Sequence, residues 1–87
     1  MREKGIMEKY SHHFVNNYQG LVAFGLDRKT DIDSIIVFLQ RFSDDQMARL
    51  IAERMSQDEI NELFDYLMGL MKSKLSEEEY HRFFLKD

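Results

Sequence analysis

The chain has 87 residues, enough for one small domain that hides only about 60–65% of the surface its unfolded form exposes, so its core must be thin. With 44% hydrophobic and 32% charged residues it reads as neither disordered nor membrane-spanning. The absence of cysteine removes disulfides and thiolate metal sites and leads us to expect a cytoplasmic protein. The net charge of −4 is the sum of +2 over residues 1–30 and −6 over residues 31–87, an acidic balance that argues against a nucleic-acid partner.

The opening MREKGIMEKY carries charge with no apolar run behind it, so no signal peptide is expected. Nothing in MREKGI is required by the pattern that follows, and Met7 also fits a chain start. Ile6, Met7, Tyr10, Phe14, Tyr18, Leu21 and Val22 fall within half a helical wheel. This predicts a first helix over about residues 3–24, with Gly25 as its stop. Gly20 costs such a helix about 1 kcal/mol. The competing reading breaks it at Asn16–Asn17 and leaves LVAFGL (21–26) extended. LVAFGL is the longest uncharged apolar stretch, far short of the roughly 20 residues of a membrane span.

DRKTDIDSIIVF begins like a calcium loop but holds Lys29, Ile32 and Phe38 where such a loop needs an oxygen ligand, glycine and glutamate. It reads better as a helix over 31–42, capped by Thr30 or Asp31, with Ile32, Ile35, Ile36, Leu39 and Phe42 on one face. Three later stretches repeat one device: SDDQ at 43–46, SQDE at 56–59 and SEEE at 76–79. A serine followed three residues later by Glu or Gln satisfies two orphan amides at a helix start, and acids in that first turn face the positive end of the helix dipole. A 3.6-residue apolar period begins after each serine: Met47, Leu50, Ile51 and Met55; Ile60, Leu63, Phe64, Leu67, Met68 and Met71; Tyr80, Phe83 and Phe84. The acidic clusters are therefore helix starts at about 44–55, 57–73 and 77–84. The predicted fold is all-α, a single compact bundle of four to five short helices filling residues 1–87 as one domain.

Chemistry is sparse. Gly5, Gly20, Gly25 and Gly69 are too scattered for a phosphate loop, no G-x-S-x-G or H-E-x-x-H occurs, and the prominent serines are assigned to caps. We expect no catalysis, cofactor or metal. The helix pair at 44–68 resembles a helix-turn-helix in outline only. Its second helix presents Asp58, Glu59, Glu62 and Asp65 with no base among them, which phosphates would repel.

The apolar residues are the larger surplus. On the 57–73 helix they span about 200° of the wheel, from Tyr66 round to Met68, against a usual stripe of about 100°. Phe38 lies at the edge of its helix's stripe and Val37 off it, and Phe83, Phe84 and Leu85 crowd the C-terminal end. These features lead to the expectation of a small non-catalytic protein, regulatory or accessory, that binds a protein partner or itself. A homodimer would draw on Val37, Phe38, Tyr66, Leu70 and Phe84. The alternative is a small-ligand or metal-binding bundle using Tyr10, His12, His13, Asn16 and Asn17.

Overall fold

A computed structural model describes residues 12–87, and all the regular structure within them is helical. In chain order the elements are α1 (His13–Asn17), α2 (Arg28–Phe42), α3 (Asp45–Arg54), α4 (Gln57–Lys74) and α5 (Glu77–Glu79), which runs on as a π-helical segment (Tyr80–Leu85). The chain divides into two compact units, Met1–Ile51 and Ala52–Asp87, with the division inside α3. No described helix is long and apolar enough to cross a membrane.

The expected 3–24 helix is corrected. Its start and Tyr10 lie outside the described residues; within them, helix stops at Asn17, as in the competing reading. Local bonds favour that exit. The Asn17 side-chain amide donates to the His13 carbonyl, Tyr18 stacks on Phe14, and the Tyr18 hydroxyl donates to the Leu21 carbonyl. The segment that follows is held by side chains of α2. The Ser34 hydroxyl accepts from the Ala23 amide and donates to the Ala23 carbonyl, both at 2.9 Å, and the Gly25 amide donates to Asp31 Oδ1 at 2.8 Å. Gly25, with φ +94°, is not a helix stop but a turn into α2 in the left-handed region that favours glycine.

α2 begins three residues earlier than its pattern suggests. Asp27 is the cap, its carboxylate accepting from the Thr30 amide at 2.7 Å. That bond holds the Asp27 carboxyl below the usual carboxylate range. α1 packs against α2. An α-helix leaves its first amides without intrahelical partners, and α1 has no side-chain cap of its own; the side chain of Gln40 on α2 accepts from the Val15 amide instead.

The three serines divide. Ser56 and Ser76 form complete capping boxes: each hydroxyl accepts from the amide of Glu59 or Glu79, and that glutamate reaches back to the serine amide. Ser43 does not. It closes α2 and contacts His12 Nε2 at 2.9 Å, while Asp44 stands at the entrance of α3 and accepts from the Gln46 amide.

Candidate interaction surface

In the first unit the buried side of α2 is not the one its apolar stripe marks. Val37 is 2% exposed and Ser34 0%, and with Gln40 they lie toward α1 and the 21–26 segment. Ile35 and Leu39 stand about 160° round the helix from Val37. They are exposed together with Ile32 and Phe38, while Ile36 and Phe42 are half-buried. Val37 is thus corrected from an interface residue to the centre of this unit's small core. The cause is hydrogen bonding: Ser34 clasps Ala23 from the side of α2 that carries Val37, and the covering segment follows that clasp. Phe38 remains on the surface, its ring stacked on Phe42 at 6.3 Å between centroids.

In the second unit no side chain is buried. α4 is well made as a helix, with its capping box, Asp58 and Glu59 in the first turn and Lys72 and Lys74 in the last. Its broad apolar arc is nevertheless open. Ile60, Leu63, Leu67 and Leu70 are exposed, and Phe64 and Tyr66 show 61% and 66% of their surface. Phe84, expected at an interface, is exposed on one side and stacked on Tyr80 on the other, centroids 5.5 Å apart. A groove of about 330 Å³ opens at the C-terminal end of α4, lined by Met68, Met71, Leu75 and Tyr80, with Lys72, Ser76 and Glu77 at its rim.

The polar patch is tied into local structure where it is described. His12 bonds Ser43 and Asn17 bonds the His13 carbonyl, while His13 and Asn16 are exposed. His13 and Asn17 border an open hollow with Phe14, Tyr18, Gln19 and Gly20. Among the described residues no group of three or more His, Cys, Asp or Glu side chains gathers to hold a metal ion. Of the expected interface residues, Phe38 belongs to the first unit and Tyr66, Leu70 and Phe84 to the second. The wheel of α4 singled out Tyr66 and Leu70 but gave less weight to Phe64 and Leu67, whose exposure is as large.

No family model matches this sequence, and comparison with curated proteins and with solved structures gave no match either.

Proposed function

We propose that this chain is a non-catalytic interaction protein that works by burying apolar helix faces against another polypeptide, a second copy of itself in the first instance. The observation that carries the reading is the open arc of α4, in a unit with no buried side chain. Two-thirds-exposed aromatic rings on a well-capped helix cost solvation free energy that covering them recovers, at roughly 25 cal/mol per Å². The outer stripe of α2, with Ile32, Ile35, Phe38 and Leu39, offers a second such face. Large apolar patches of this kind mark contact surfaces.

Sedimentation of the purified chain at micromolar concentration tests the proposal. The expected result is a species of twice the 10.5 kDa chain mass. A single species of chain mass, fully helical and with an unchanged melting curve on dilution, would show that the faces need no partner and would end this reading.

A further inference from the structure

From the layout of α4 we infer that the second copy binds by laying its own α4 antiparallel on this one, across a two-fold axis that passes between residues 65 and 66. The inference rests on the interaction reading above and specifies its partner and geometry.

Three observations converge on it. The first is spacing. Ile60, Phe64, Leu67 and Met71 lie within about 60° on the wheel, separated by four, three and four residues, a pattern that reads the same in both directions. A reversed copy therefore sets Phe64 against Leu67 and Ile60 against Met71, with both pairs repeated by the symmetry. The second is charge. The first two-thirds of α4 carries Asp58, Glu59, Glu62 and Asp65, and its last turn Lys72 and Lys74. A parallel pair would align four carboxylates with four; the antiparallel pair sets each acidic end beside the other helix's lysines and opposes the two helix dipoles. Glu77–Glu79 follow the turn at Leu75 and belong to α5.

The third observation is shape and area. The groove at the end of α4 includes Met71, the position that the antiparallel register places opposite Ile60 of the second copy, and its 330 Å³ can take an aliphatic side chain. The exposed parts of Ile60, Leu63, Phe64, Leu67 and Leu70 amount to roughly 450 Å², more than half of the ~800 Å² that each partner contributes to a standard interface, while Tyr66 stands about 130° round the wheel from the seam. The polar rim supplies the rest. The isologous form follows, because the same patch serves on both chains.

The chain has no cysteine, which makes the test direct. Gln57 and Lys74, the first and last residues of α4, are exposed and stand opposite one another in this register. Gln57→Cys and Lys74→Cys are made separately, checked for unaltered helix content by circular dichroism, mixed, and oxidised. The expected product is a disulfide-linked dimer in the mixture and little with either variant alone, since a disulfide needs Cα atoms within about 7 Å. Self-linking of Gln57→Cys would show a parallel pair and overturn the geometry. A dimer by sedimentation with no cross-link in any combination would place the interface elsewhere, overturning this inference while leaving the interaction reading intact. A chain-mass species in sedimentation would overturn both.

Discussion

Ser34 does more for this structure than its size suggests. Its hydroxyl is fully buried, accepts from the Ala23 amide and donates to the Ala23 carbonyl, so one side chain satisfies both polar groups of a residue outside any helix. Replacing it with alanine leaves both groups unpaired, at a cost of about 1–3 kcal/mol. Ser34→Ala is therefore expected to lower the unfolding free energy by that amount in a denaturant titration and to speed hydrogen exchange at Ala23. The caps give a second contrast. Ser56→Ala removes a complete capping box and should cost about 0.5–2 kcal/mol, whereas Ser43→Ala, at a residue that closes α2 through its backbone amide and caps no helix start with its side chain, should cost less. Asp27 adds a pH dependence. Its folded-state pKa is depressed by the Thr30 amide, so the stability it contributes is present above the ordinary carboxylate range and is lost as pH falls through that range and below it. The melting midpoint should fall as pH drops below about 4, and Asp27→Asn should flatten part of that fall. The two boxes were legible because a serine and a glutamate three residues apart form a local motif. The Ser34 clasp was not, because a buried serine pairing with a segment eleven residues away leaves no mark in either stretch.

At the scale of the element, α2 shows where periodicity misleads. Its apolar residues mark one side, and a reading by pattern places the core there. The folded unit covers the other side, where Val37 lies between Ser34 and Gln40. Hydrophobic period predicts that a face will be buried but does not say by what, and here the covering segment is positioned by polar side chains on the opposite face. The same segment explains the lost half of the first expected helix. Tyr18, Leu21 and Val22 are compatible with helix by spacing, yet Ala23 and Gly25 find their partners on α2 only when the chain leaves the helix after Asn17. The consequence is a pair of substitutions with opposite behaviour. Val37→Ala opens a hole in the small core and is expected to cost about 1–3 kcal/mol at any protein concentration. Phe38→Ala, on the exposed side, should change stability by less than about 0.5 kcal/mol in dilute protein. Chemical denaturation of both variants at two concentrations separates them; an equal loss at low concentration would contradict the assignment of the two faces.

For the whole molecule, the balance of burial differs between the units. The first has Val37 and Ser34 out of solvent; the second, residues 52–87, has no buried side chain and an α4 of 18 residues. In proteins most of a helix's stability comes from tertiary packing of its apolar face, with caps and propensity adding less. The caps, charges and length of α4 are set for a helix, and its open face leaves it dependent on a covering surface. In the proposed dimer that surface is the second α4, so protection of the α4 backbone should follow the monomer–dimer equilibrium by mass action. Hydrogen exchange measured by mass spectrometry is expected to show slow exchange across 60–71 at tens of micromolar and a marked acceleration at tens of nanomolar. Peptides covering Ala23 and Ser34 should change much less, because their hydrogen bonds are made within one chain. Phe64→Glu, which sets a carboxylate on the axis of the proposed pair, should reproduce the dilute pattern at high concentration. Exchange across 60–71 that stays slow at every concentration, in the unmutated chain and in Phe64→Glu alike, would mean that α4 is held within a single chain and that its exposed face is not where this protein meets its partner.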